Sequence, residues 1–236
     1  MKYAVLLADA DGTLFDFHAG ERKALGETLL ACGIPDDDAL AACYSRVNQH
    51  HWKRLERGET TQQRLRVERF EDFLRELTAM GIPCAMHSPQ QMSQTFVDAL
   101  SRQRVPLPGA EAFLRTVAAH MPVYLVTNGI ASVQRGRFEQ SELRRYLADI
   151  LISEETGHFK PDPFMLLEAM RRAGVTQKRQ AVMLGDSLTA DIGAANAAGV
   201  DSILFTDGAP TPSPCPATYV AQTLSQAARL VLGQEG

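Results

Sequence analysis

Short, unbroken apolar runs alternate along this chain with longer stretches in which apolar positions recur every three to four residues. The runs at residues 3–8, 123–126 and 181–184 each stop at a polar, glycine-containing turn, which predicts strands buried on both faces of a parallel sheet. Residues 150–153 and 202–205 are predicted as further strands. Helices are predicted at 110–120, around 133–146, at 163–173 and at 191–198. Their alternation with strands predicts an α/β fold, a doubly wound, mainly parallel sheet with right-handed crossovers.

One stretch breaks the alternation. Residues 17–104 follow a helical pattern almost throughout, with helices predicted at 21–32, 36–57, 61–80 and 89–102. Gly33-Ile34-Pro35, Gly58 and Gly81-Ile82-Pro83 separate them, and Pro106-Leu107-Pro108-Gly109 marks the return to the sheet. The chain thus divides into a core of residues 1–16 and 105–236 and an inserted, all-helical cap domain of residues 17–104. An insertion directly after the first strand predicts a mobile lid that closes over a substrate and excludes water.

Length and composition agree with that division. The 236 residues, 45% of them apolar, suffice for one large α/β domain or for a core domain plus a smaller insertion. A net charge of −4, with basic residues spread along helices, gives no electrostatic footprint for a nucleic acid polymer. The basic cluster His50, His51, Lys53, Arg54 and Arg57 reads as a solvated helix face, and Trp52 as a packed cap residue, with a base-stacking platform as its alternative. Cys32, Cys43, Cys84 and Cys215 have neither zinc nor redox-pair spacing, which fits a reducing, cytoplasmic compartment. The apolar run at residues 1–7 is cut short by Asp9, too early for export or membrane insertion, so no membrane partner is expected. His18, His87, His120 and His158 have no ligand spacing and read as surface or satisfied core residues.

The chemistry gathers where strands end. Asp9-Ala10-Asp11-Gly12-Thr13 closes the first strand with two acids at i and i+2, which point the same way on an extended chain. One can attack phosphorus while the other handles a proton on the leaving oxygen. An acidic turn is the plain structural alternative. Thr127-Asn128-Gly129 follows the second strand and offers a hydroxyl and backbone N–H groups to a phosphoryl oxygen, or a simple turn. Lys160, in His158-Phe159-Lys160-Pro161-Asp162-Pro163, can neutralise attacking and transferring groups, or be a surface lysine before a Pro-initiated helix. Gly185-Asp186-Ser187 through Asp191 places two carboxylates at a strand end and helix entrance. With Asp9 they make a Mg²⁺ site, although Asp191 or Ser187 can also cap the helix, and Asp191 can orient Lys160 or a metal water. Ligands of open α/β sheets bind beyond the carboxyl ends of the strands, where these pieces would converge.

In this order the four motifs resemble those of the haloacid dehalogenase-like hydrolases, over nearly the whole chain. The resemblance implies a Rossmann-like core with the helical cap of that superfamily's subclass I. It implies Asp9 as a nucleophile forming an aspartyl phosphate, and Asp11 as the acid that protonates the leaving group and then activates water. It implies Asp11 also lending its backbone carbonyl to Mg²⁺, Thr127 binding the phosphoryl group with Asn128 and Gly129, Lys160 balancing charge, and Asp186 and Asp191 holding the metal region. Residues 48–58, Arg69-Phe70, Asn128-Gly129-Ile130 to Gln134, Arg137-Phe138-Glu139-Gln140-Ser141 and Ile152-Ser153-Glu154-Glu155-Thr156-Gly157 look similar to the pyrimidine 5′-nucleotidase branch.

A small phosphomonoester, a nucleoside monophosphate by that likeness, is therefore the expected substrate of a monomer or homodimer. Asp11 argues against dehalogenation, which has no leaving oxygen to protonate. A phosphoglycolate or sugar-phosphate phosphatase, a phosphomutase, and a non-catalytic phosphate-binding regulator of the same fold stay open as alternatives.

Overall fold

The computed structural model describes residues 2–84 and 86–234. Met1, at the start of the first apolar run, and residues 235 and 236, at the end of the expected core, lie outside them. Among the described residues six strands form one sheet: β1 (Val5–Ala8), β2 (Val123–Thr127), β3 (Asp149–Ile152), β4 (Ala181–Gly185), β5 (Asp201–Phe205) and β6 (Tyr219–Ala221). Their order is β3-β2-β1-β4-β5-β6, and every neighbouring pair is parallel. Central β1 sets Leu6 opposite both Val123 and Val182.

The α-helices are α1 (Phe17–Ala31), α2 (Asp38–Glu56), α3 (Gln62–Ala79), α4 (Pro89–Ser101), α5 (Ala110–Ala118), α6 (Ala131–Glu139), α7 (Ser153–Thr156), α8 (Phe164–Arg172), α9 (Gly193–Ala198) and α10 (Leu224–Leu232). Among the described residues no helix is long and apolar enough to cross a membrane.

The chain forms two compact units. The first comprises Met1–Phe17, Val105–Ala131 and Phe138–Gly236. Side-chain alternation along β1 builds its two layers, because neighbouring positions of a strand face opposite sides of the sheet. Leu6 and Ala8 join a core with Phe113, Leu114 and Val117 of α5 and Ala227 and Val231 of α10. Val5 and Leu7 join a second core with Met165, Leu166 and Ala169 of α8 and Ala194, Ala195 and Ala198 of α9. All four β1 side chains are fully buried, each Val or Leu contributing about 1.5–3 kcal/mol. Just past β1, Phe15 packs edge-on against Phe138 with ring centroids 4.9 Å apart.

The second unit, His18–Arg104 with Ser132–Arg137, is helical. Its helices begin where short polar side chains satisfy their open N–H groups: Asp37 caps α2, Thr61 caps α3, and Ser88 caps α4 with Pro89 at the first turn. Tyr44, Phe70 and Phe96 form an aromatic centre with centroids 5.1–5.6 Å apart. His51 departs from the solvated face expected for its cluster. It is fully buried, with Nε2 2.8 Å from Asp72 Oδ2, because position 51 continues the inward stripe of Tyr44, Val47 and Asn48. His50, Lys53 and Arg57 are exposed, as expected.

Other boundaries differ from expectation for local reasons. α1 starts at Phe17, four residues ahead of the predicted helix at 21. The single helix expected over 133–146 is two elements: α6 ends at Glu139, and Ser141 Oγ then caps a separate 3₁₀ turn, Glu142–Tyr146, by accepting from Leu143 N at 3.1 Å. Ser153, expected in a strand, opens α7. The helix expected at 191–198 begins earlier, as a π-turn over Leu188–Ile192 leading into α9. β6 and α10 were not predicted.

Candidate active site

Parallel strands deliver their carboxyl ends to one edge of the sheet, and three of them end in polar chemistry. Asp9 follows β1 directly, with its N–H donating to Leu184 O of β4 at 2.9 Å. Thr127 is the last residue of β2, and Gly185 the last of β4.

Lys160 joins these ends. Its ammonium donates to Asp9 Oδ1 at 2.5 Å, Asp191 Oδ1 at 2.7 Å and Val126 O at 2.7 Å, so all three of its hydrogen bonds are made inside the protein. It is 1% exposed, Asp191 1% and Asp9 7%. Asp191 is fixed at both oxygens, since Oδ2 accepts from Ser187 N at 3.0 Å. The π-turn carries it there, and Ser187 Oγ caps that turn through Ala190 N at 3.1 Å. Gly185 is required beside it: a Cβ at that position would collide with the Asp191 carboxyl. Gly12, at φ 84°, stands in the same relation to the Asp186 carboxyl.

Asp186 lies on the open side of the cluster, with Thr13 Oγ1 3.4 Å from its Oδ1. Asp11 is half-buried, its main chain bridged to Phe15, and its charge reaches Asp186. Thr127 is buried and its Oγ1 accepts from Gly129 N at 3.2 Å. The Asn128 side chain bonds to the main chain of Lys160.

Charge balance governs the electrostatics. Burial alone pulls the Lys160 ammonium down, but the carboxylates of Asp191 and Asp9 more than offset this and hold it above its ordinary value. Burial raises Asp9 well above the usual carboxylate range; Lys160 opposes that, and Asp191 and Asp186 reinforce it. Asp186 has an exposed residue surface, yet the protein packed round its carboxyl and, after that, the Asp191 charge push it up to about 7. Asp9 and Asp191 thus share one ammonium, whose charge also acts on Asp186. Oxygens of Asp9, Asp186 and Asp191 all lie within 4.8 Å of one another, a hard-oxygen donor set that fits a divalent cation and the charge it would bring. The Asp11 side chain is not part of that group.

Some partners had no readable signal in the sequence. The Val126 carbonyl and the Ser187 N–H are main-chain groups whose use depends on the fold. Glu154 lies inside a motif read only for its likeness, yet its Oε2 accepts from Ala131 N at 2.7 Å and satisfies the start of α6, where Ile130 offers no cap.

Residues 3–199 match the family of haloacid dehalogenase-like hydrolases. The pyrimidine 5′-nucleotidase PynA of Streptococcus pneumoniae is 33% identical over 211 residues, covering 87% of this chain and 84% of that protein. The pyrimidine 5′-nucleotidase YjjG of Escherichia coli is 29% identical over 192 residues, covering 81% of each. Among solved structures, the magnesium-bound HAD-hydrolase YfnB of Bacillus subtilis superposes with a TM-score of 0.88 at 28% identity, over 98% of this chain and 99% of that one. The chain belongs to the haloacid dehalogenase-like hydrolases.

Proposed function

We propose that this hydrolase is a Mg²⁺-dependent phosphomonoesterase that works through an aspartyl phosphate on Asp9, with pyrimidine nucleoside 5′-monophosphates as its substrates. The observation that carries the reaction is the buried ammonium of Lys160, held between Asp9 and Asp191 where β1, β2 and β4 end. The substrate class is supported by the two nucleotidase relatives, whose likeness spans more than four fifths of the chain.

Asp9 Oδ1 is held by Lys160, which leaves Oδ2 to attack phosphorus. Its electron pair forms the new P–O bond as the ester P–O bond breaks, and the leaving alkoxide takes a proton from the Asp11 carboxyl. Asp11, now a carboxylate, removes a proton from water as the water attacks phosphorus. The bond to Asp9 then breaks, restoring its carboxylate and releasing inorganic phosphate. Thr127 Oγ1 accepts from the Gly129 N–H; in this mechanism its hydroxyl and the N–H of Asn128 donate to a phosphoryl oxygen. Lys160 offsets the negative charge that Asp9 brings to an anionic ester.

Asp9, Asp186 and Asp191, with the main-chain carbonyl of Asp11, would hold the cation. When bound, Mg²⁺ supplies the charge that lets a phosphate dianion approach carboxylates.

Phosphate release with Mg²⁺ across UMP, dUMP, dTMP, purine monophosphates, phosphoglycolate and sugar phosphates tests the proposal. Preference for the pyrimidine monophosphates is expected. Preference for phosphoglycolate or a sugar phosphate would discard the substrate class while leaving the chemistry, and dependence on a bisphosphorylated sugar would indicate a mutase.

A further inference from the structure

We propose that Asn128 is the positioning residue of Lys160, its side chain holding the Lys160 main chain rather than binding the phosphoryl group. The inference rests on the phosphatase reading above, since it needs Lys160 to matter to the reaction.

The Asn128 side chain makes a closed pair of bonds with one residue of distant sequence. Oδ1 accepts from Lys160 N at 2.8 Å, and Nδ2 donates to Lys160 O at 2.8 Å, across 32 residues. The two Lys160 groups are of opposite kind, so only one orientation of the amide satisfies both. Lys160 lies between α7 and α8, outside any helix or strand, so no ladder holds its main chain. The Asn128 amide takes the place of one, tying the Lys160 backbone to the end of β2.

This tie matters because the ammonium has three fixed targets. Nζ must reach Asp9, Asp191 and the Val126 carbonyl together, all at 2.5–2.7 Å. Val126 and Asn128 flank Thr127, so the same turn of chain that offers a phosphate hydroxyl also clamps Lys160 at its backbone and at its tip. A shift of the Lys160 backbone would break at least one of the three bonds and misplace the charge beside the nucleophile. Aspartate cannot substitute for the amide: it lacks the donor and would set oxygen against the Lys160 carbonyl oxygen.

The test uses the full chain with Mg²⁺ and UMP, or whichever monoester it turns over best, comparing wild type, Asn128→Ala, Asn128→Asp and Asp9→Asn. Asn128→Ser serves where the alanine variant does not fold. The readouts are kcat, KM, the inhibition constant of inorganic phosphate, and the NMR hydrogen-exchange rate of the Lys160 amide. For Asn128→Ala, kcat is expected to fall about ten- to a hundredfold, the cost of misplacing a reacting group. KM and the phosphate inhibition constant are expected to stay within about threefold, as for an interaction that does not contribute uniform binding. The Lys160 amide is expected to exchange at least about tenfold faster while β1 amides keep their rates, which marks a local opening rather than general loss of stability. Asn128→Asp is expected to fall at least as far. A phosphate constant raised about tenfold with the Lys160 amide still protected would overturn the proposal and make Asn128 a phosphate ligand. So would an unchanged kcat in Asn128→Ala beside an inactive Asp9→Asn. Full turnover by Asp9→Asn would instead overturn the phosphatase mechanism itself.

Discussion

The Lys160 ammonium lies 2.5 Å from Asp9 Oδ1, though the two are 151 positions apart in sequence. Both are buried, and Asp191 shares the ammonium at 2.7 Å. Lys160→Met therefore leaves two buried carboxylates without their cation. Removing one partner of such a pair costs about 3–5 kcal/mol, so denaturant unfolding should show a loss of that order, together with loss of phosphatase activity. Unchanged stability would mean that the carboxylates are balanced by other means.

Asp11 is assigned two opposite proton transfers. Asp11→Asn should slow both departure of the leaving group and hydrolysis of the phosphoenzyme, because an amide can neither supply the proton nor remove it. Single-turnover kinetics separate the two steps, and wild-type rates in both would remove Asp11 from the mechanism.

The donor set of Asp9, Asp186 and Asp191 predicts dependence on a divalent cation. Excess chelator should abolish turnover, and added Mg²⁺ should restore it. Full activity in chelator would contradict the metal assignment.

Gly185 gives the Asp191 carboxyl its space. Gly185→Ala should displace that carboxyl from Lys160, lowering kcat and costing about 1–3 kcal/mol of stability by overpacking. A variant with unchanged unfolding and rate would show that β4 can yield at its end.

In the helical unit, the Tyr44 hydroxyl is buried without a hydrogen-bond partner among the described residues. Burial also pushes its ionisation above the ordinary tyrosine value. Tyr44→Phe keeps the aromatic packing and removes the unpaired group, so it should leave stability unchanged or raise it by up to about 1–3 kcal/mol. A clear loss in thermal unfolding would show that the hydroxyl has a partner in solution.

The readable parts of this chain are those where one local rule acts alone. β1, β2 and β4 are continuous apolar runs because both their faces are covered, and each ends in a motif. Asp9, Lys160 and Asp191 could be picked out separately, and the sheet brings them within hydrogen-bonding distance. The Asn128 bond to Lys160 was not readable, because a side chain binding a distant main chain leaves no periodic trace. β6 is only three residues long and half-exposed at the sheet edge, too short for a pattern. α10 did carry a signal: Thr223 as cap, Leu224, Ala227 and Val231 facing the core, and Gly233 as stop. The break after Glu139 turned on Ser141, a cap that interrupts an otherwise helical composition.

The proposed mechanism turns on Asp9 carrying the phosphoryl group. The most direct measurement is acid-quenched turnover with UMP and Mg²⁺, followed by mass spectrometry of the peptide containing Asp9, for wild type and Asp9→Asn. A phosphoryl adduct on Asp9 in the wild type, with neither adduct nor phosphate release in Asp9→Asn, is the predicted result. Phosphate release by Asp9→Asn at the wild-type rate would remove Asp9 as the nucleophile.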